Sequence, residues 1–175
     1  MSNLVTLAET AMKPVHQFPL FKSVFVALAL LVTQFTASVA APLSFSTGQT
    51  VYVPSYSHIF VGNRQKTFDL TTSLAIRNSD PETPITVTRV DYYDASGRFV
   101  RAMMKTPLVI RPVSTLVYVI DESDKTGGVG ASFLVAWSSS RKAAPPVVES
   151  VMIGTGMQQG ISFTSRGQVV RETRP

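Results

Sequence analysis

From Thr50 onward, apolar and polar residues alternate in short runs, and the alternation has the period of a strand. Thr67 to Asn78 reads TFDLTTSLAIRN, with Phe68, Leu70, Leu74 and Ile76 on one face and Asp69, Thr71, Ser73 and Arg77 on the other. Successive side chains of a strand point to opposite faces of its sheet, so this pattern predicts a half-buried strand. Asn78-Ser79-Asp80-Pro81 supplies the turn that ends it. Ile85 to Tyr93 is the next strand, and its apolar phase slips between Val87 and Val90, which predicts a bulge. Asp94-Ala95-Ser96-Gly97 is a tight-turn sequence, and Phe99 to Met103 returns as the hairpin partner.

Leu108 to Ile110 and Ser114 to Ile120 follow, separated by Arg111-Pro112. The polar stretch Asp121 to Gly130 reads as a loop. Ala131 to Ser138 is a strand with Phe133, Val135 and Trp137 on one face, and Ser138 to Pro146 a second loop. Val147 to Ile153 and Gly160 to Thr164 complete the clear strands, and the polar tail is expected to fray from about residue 168. Thr50 to Val53 and His58 to Val61 are shorter, interrupted by Pro54, and read as edge strands. No segment of useful length has helical period. Strands at hairpin spacing without helices predict an all-β fold, an antiparallel β-sandwich of immunoglobulin-like type, with a small β-barrel as the alternative.

The first 40 residues have a different pattern. Ser23 to Val32, SVFVALALLV, is an unbroken apolar run preceded by Lys22 and Lys13 and followed by Ala37-Ser38-Val39-Ala40-Ala41. A basic flank, an apolar core of this length and a small-residue end are the parts of a cleavable signal peptide. Cutting after Ala40 puts Ser38 and Ala40 at the small-residue positions and keeps Pro42 away from the scissile bond. The alternative is an uncleaved anchor, but a spanning helix needs about 20 apolar residues and Lys22 and Gln34 bracket fewer. Residues 2–11 carry Glu9 and no basic residue, so translation is expected to begin at Met12. The mature chain is then one domain over residues 41–175, exported to the periplasm or secreted. Membrane contact comes only through the leader.

Composition narrows the chemistry. Fourteen of the 16 Lys and Arg and ten of the 11 Asp and Glu lie beyond Ala40, a net charge of +4 without a dense basic cluster. With export, this argues against a nucleic-acid partner. The chain has no cysteine, which removes disulfides, thiolate metal sites and cysteine nucleophiles. His58 is the only histidine after Ala40, so a multi-histidine metal site is excluded for the mature domain.

Few constellations suit catalysis. Gly154-Thr155-Gly156 with Gly160 follows an apolar strand, but a strand rather than a helix comes next, and phosphate binding needs the helix N-terminus; no nucleotide is expected. Asp121, Glu122 and Asp124 precede Gly127-Gly128, yet the twelfth position from Asp121 is Ser132 where a calcium loop needs Glu. Asp91 and Asp94 are spaced as an acid and base pair, with a strand end starting a turn as the plainer reading. Ser139 and Lys142 satisfy S-x-x-K in a Ser-rich loop, and no G-x-S-x-G elbow exists. No cofactor is expected. Tyr52, Tyr56 and Phe60 give the first mature segment an aromatic character, which serves either a core or a binding surface.

Several stretches resemble one family: VYVPSYSHI from Val51, LAIRN from Leu74, VDYYD from Val90, GASFLV from Gly130, MIGTG from Met152, QGISF from Gln159 and SRG from Ser165. The resemblance runs from about Val51 to Gly167. It is to a family of exported bacterial proteins known only as a domain of unknown function. It implies a bacterial source and an envelope location, and it implies no activity and no catalytic residues. The expected function is therefore a non-enzymatic binding or structural module for an envelope protein or glycan. Its candidate surface is Tyr52, Tyr56 and His58 with Asp91, Tyr93 and Arg166. Two alternatives are a small hydrolase or lyase using His58 with Asp91 or Asp94, and a calcium-stabilised module using Asp121, Glu122 and Asp124.

Overall fold

The period-two segments pair with one another across long sequence distances, and the apolar face of each turns into a shared interior. The structure, a computed structural model, describes residues 44–63, 66–156 and 160–173. The leader and the Met12 start lie outside the described residues. Among the described residues twelve strands run in order: β1 Ser46–Pro54, β2 His58–Val61, β3 Lys66–Asp69, β4 Thr71–Arg77, β5 Ile85–Tyr93, β6 Phe99–Ala102, β7 Leu108–Ile110, β8 Thr115–Ile120, β9 Ser132–Ala143, β10 Val147–Gly154, β11 Ile161–Arg166 and β12 Gln168–Glu172. All pairings are antiparallel. A six-stranded sheet has the order β12-β1-β9-β5-β6, with β7 also on β5; a four-stranded sheet has the order β11-β10-β4-β8; β2 and β3 form a separate hairpin. Among the described residues both larger sheets end in open edges, so the sandwich and not the barrel is the fold.

Val51, Val53, Ile85, Val87, Val90, Tyr92, Phe133, Val135 and Trp137 face inward from the six-stranded sheet onto Leu74, Ile76, Ile120 and Val148 of the other. Each fully buried side chain of this size contributes about 1.5–3 kcal/mol. A second, smaller cluster of Phe68, Leu70 and Met152 lies beneath the hairpin, with Tyr56 and Phe163 packed on it.

The bulge falls where the phase slipped, between Val87 and Arg89 opposite β9. The Asp94–Gly97 turn closes the β5–β6 hairpin, with Gly97 at φ 75°, a left-handed conformation that glycine adopts without Cβ strain. Four local expectations change. Thr67 to Asn78 is two strands: the side-chain period continues through Leu70, but β3 joins the hairpin and β4 the four-stranded sheet. Ser138 to Ala143 is strand rather than loop, because Ala143 pairs back to Ser46 beyond a bulge. β1 is no edge; it lies between β12 and β9. The tail does not fray at residue 168, since β12 pairs with β1. Its polar residues are used there: Glu172 accepts hydrogen bonds from Gln49 Nε2 at 2.6 Å and Ser46 Oγ at 2.7 Å.

Candidate functional site

Inward-facing Val51 and Val53 leave Tyr52 between them pointing out of the six-stranded sheet, 37% exposed. Register then sets its row. Tyr52 lies beside Leu134, Leu134 beside Asp91, and Asp91 beside Ala102. The next row carries Ser132, Tyr93 and Phe99. Strands about 4.8 Å apart put Tyr52 and Asp91 about 10 Å from each other. Arg89 Nε reaches Asp91 Oδ2 at 3.4 Å, and Tyr93 meets exposed Phe99 edge to face at 5.9 Å between centroids. The outer face of this sheet thus joins two tyrosines and a phenylalanine to an Arg–Asp pair. Arg89 was legible from the slip at Val87, which puts residues 89, 91 and 93 on one side; Phe99 and Leu134 needed the pairing.

The other three candidates lie elsewhere. Tyr56 packs edge to face on Phe163 at 5.6 Å beneath the hairpin. Arg166 is on β11, opposite Glu149 of β10 on the outside of the four-stranded sheet. His58 is on β2, its ring edge to face with Phe60 at 5.9 Å.

Neither Asp91 nor Asp94 bonds to His58. The Asp94 carboxylate accepts the N–H groups of Ser96 and Arg98 and the Arg98 side chain. The bond from Arg98 N–H is the largest influence holding its pKa below the usual value. The residue facing His58 is Asp69. Leu70 N–H donates to Ser57 O, which makes His58–Asp69 the non-hydrogen-bonded pair of the ladder, where side chains approach closest. Asp69 Oδ2 bonds Lys125 Nζ at 2.8 Å, while Asp69 Oδ1 and His58 Nδ1 are buried without partners among the described residues. Nothing in the sequence before pairing singled out Asp69.

The acidic loop is internally satisfied. Asp121 Oδ1 accepts Ser123 N–H at 2.8 Å and Oγ at 2.7 Å. Asp124 Oδ1 accepts Thr126 N–H and Oγ1, and Oδ2 pairs with Arg101. Among the described residues no group of three or more His, Asp or Glu is arranged to hold a metal ion. Ser139 and Lys142 sit on β9 at i and i+3, opposite faces by strand period, and Ser139 Oγ donates to Pro84 O. Gly154 ends β10, where a Cβ would collide with the Phe68 ring and approach Asp69 O to 2.6 Å. That is a packing reason for glycine. Residues 157–159 of the same connection lie outside the described residues.

An open cleft of about 340 Å³ lies by Phe45, Asp80, Glu82, Arg141 and Lys142. Its Asp80 is not free for a ligand: Oδ1 accepts the N–H groups of Glu82 and Thr83, and Oδ2 that of Ala144. These bonds, Ala144 first, hold its pKa down from 3.8 to about 2 against the opposing effect of burial. A carboxylate with a depressed folded pKa contributes stability that is present above its unfolded pKa and lost as pH falls through the folded one. The melting temperature is therefore expected to fall between pH 3.8 and about 2. Asp80→Asn should melt lower than wild type at pH 7, and the gap should narrow toward pH 2. A gap independent of pH in thermal melts would refute the assignment.

No curated protein matches the chain in sequence. A similar solved structure is "Crystal Structure of Thermotoga maritima 1070", at 14% identity and TM-score 0.43, covering 71% of this chain and 97% of that one. The family model described as "Protein of unknown function (DUF3124)" matches residues 48–170, from the second residue before Thr50 of β1 into β12, and the chain belongs to that family.

Proposed function

We propose that this chain is an exported envelope protein whose β-sandwich is a non-enzymatic binding module, and that it holds a protein partner on the outer face of the six-stranded sheet. One observation carries the proposal: Tyr52, Tyr93 and Phe99 stand on the same face as the Arg89–Asp91 pair. Tyrosine and arginine are the residues that concentrate binding energy at protein interfaces, and a sheet presents them with little entropy left to lose. The leader pattern at Ser23–Ala40 supports export.

Arg89 and Phe99 are exposed, so replacing them should leave the fold intact. Arg89→Glu with Phe99→Ala is expected to reduce the protein that co-purifies from the envelope roughly tenfold or more, about 1.4 kcal/mol of binding per factor of ten. Arg166→Ala on the other sheet should leave it unchanged. Equal retention by both variants, or retention of glycan alone, would contradict the proposal.

A further inference from the structure

β8 is an unprotected edge. It closes the four-stranded sheet with β4 on one side, and no described residue pairs with it on the other. Its six residues, Thr-Leu-Val-Tyr-Val-Ile, include no charge, no proline and no glycine. Proteins ordinarily blunt such an edge with charges, proline or brevity, because its free N–H and C=O groups template another strand. The other outer strands of the two larger sheets are blunted: β12 carries Arg171 and Glu172, β11 ends in Arg166, β6 holds Arg101 in four residues, and β7 has three residues before Arg111-Pro112.

The free groups can be assigned. Asn78 N–H donates to Ser114 O at 2.9 Å, one step beyond the Arg77–Thr115 pair. Hydrogen-bonded pairs of an antiparallel ladder recur at every second residue. Ser114, Leu116, Tyr118 and Ile120 therefore turn their backbone groups to β4. Thr115, Val117 and Val119 turn theirs outward, and Val117 and Val119 are 52% and 57% exposed.

We propose that the occupant of this edge is β8 of a second copy, antiparallel about a two-fold axis at Val117. This alignment makes Thr115–Val119, Val117–Val117 and Val119–Thr115 the hydrogen-bonded pairs, so every free group of both edges is satisfied. Leu116 meets Tyr118 of the second copy on the inner face, and aromatic–aliphatic cross-strand pairs stabilise sheets. Charge favours the same alignment. Arg111 precedes β8 and Glu122 follows it, both exposed. Each lies in a turn at its end of the strand, where Ser114 N–H bonds Arg111 O and Asp124 N–H bonds Asp121 O, so antiparallel pairing sets the Arg111 end of one copy against the Glu122 end of the other, whereas a parallel partner copy would set like charges together. The dimer joins two four-stranded sheets into one and uses none of the residues on the outer face of the six-stranded sheet.

The absence of cysteine gives a clean test. Residues in a hydrogen-bonded antiparallel pair have Cα atoms about 5.5 Å apart, within disulfide range. Val117→Cys in the full chain, under mild oxidation in intact cells, is expected to give a covalent homodimer roughly tenfold faster than Ile153→Cys, because the paired edge raises the local thiol concentration. Ile153 is a fair control, exposed on the outside of the same sheet on β10. Thr115→Cys and Val119→Cys should each crosslink poorly alone and well when co-expressed. Val117→Lys, which puts two like charges on the axis, should abolish dimer in sedimentation while leaving the circular dichroism spectrum unchanged. Equal crosslinking of Val117→Cys and Ile153→Cys, or a Val117→Cys adduct only with a different protein, would overturn the proposal.

Discussion

Trp137→Ala is expected to lower the unfolding free energy by about 3–5 kcal/mol, the range for large-to-small changes that leave a cavity. Trp137 is 1% exposed at the middle of β9, the central strand, with Gln49 of β1 on one side and Val87 of β5 on the other. Neighbours held by ladders on both sides cannot collapse far into the space it leaves. No disulfide backs up the core, and domains typically have only about 5–15 kcal/mol in hand, so the loss is a large share of the total. The indole N–H has no hydrogen-bond partner among the described residues, so the cost is one of volume and contact. Trp137→Phe should accordingly cost much less, since it keeps most of the ring and removes the orphan donor. Urea titration measures both; equal losses would show that Trp137 is not packed as described.

Asn78 is the second position where one change has a large effect, for a polar reason. It is 2% exposed, and its Nδ2 donates to the carbonyls of Thr83, Ile110 and Arg111 while Oδ1 accepts Asp80 N–H. One side chain therefore ties the end of β4 to the start of β5 and the end of β7, across both sheets. Asn78→Ala leaves these groups without partners and should cost about 2–4 kcal/mol, at about 1–3 kcal/mol for each unsatisfied buried group, partly relieved by water. Asn78→Asp should be worse near neutral pH, because an ionised oxygen would face three carbonyl oxygens. Burial and those carbonyls raise the folded pKa of the introduced carboxyl, so its penalty is present above that pKa and shrinks as pH falls. Chemical denaturation at pH 7 and pH 5 checks this: the Asp variant should recover relative to the Ala variant at the lower pH.

The same two residues show how much was legible in the sequence. Trp137 could be assigned to the core because period two around Phe133 and Val135 fixes its face whatever it pairs with. Asn78 read as the end of a strand and the start of a turn, and not as a tie between strands, since its partners lie up to 33 residues away and no local pattern encodes them. The bulge at Val87 and the Asp94–Gly97 turn are local features and were predictable for that reason. The β12 strand was not: Gln168 to Glu172 is exposed throughout, and only Gln49 and Ser46 across the ladder explain why it pairs. Of the candidate surface, Tyr52, Asp91 and Tyr93 fall on one sheet face. Tyr56, His58 and Arg166 do not, because proximity along the chain says nothing about which sheet a strand enters. Asp69 beside His58 was invisible for the same reason.

The most direct test of a partner on the outer face is photo-crosslinking in intact cells from single positions on each side of the sandwich. A crosslinker at Phe99, next to Tyr93 and the Arg89–Asp91 pair, should capture one envelope protein distinct from the chain itself, and Arg89→Glu should remove that adduct. The same group at Ile153, on the opposite sheet, should not capture it. An identical adduct from Ile153, or one at Phe99 that survives Arg89→Glu, would contradict the assignment of the binding face.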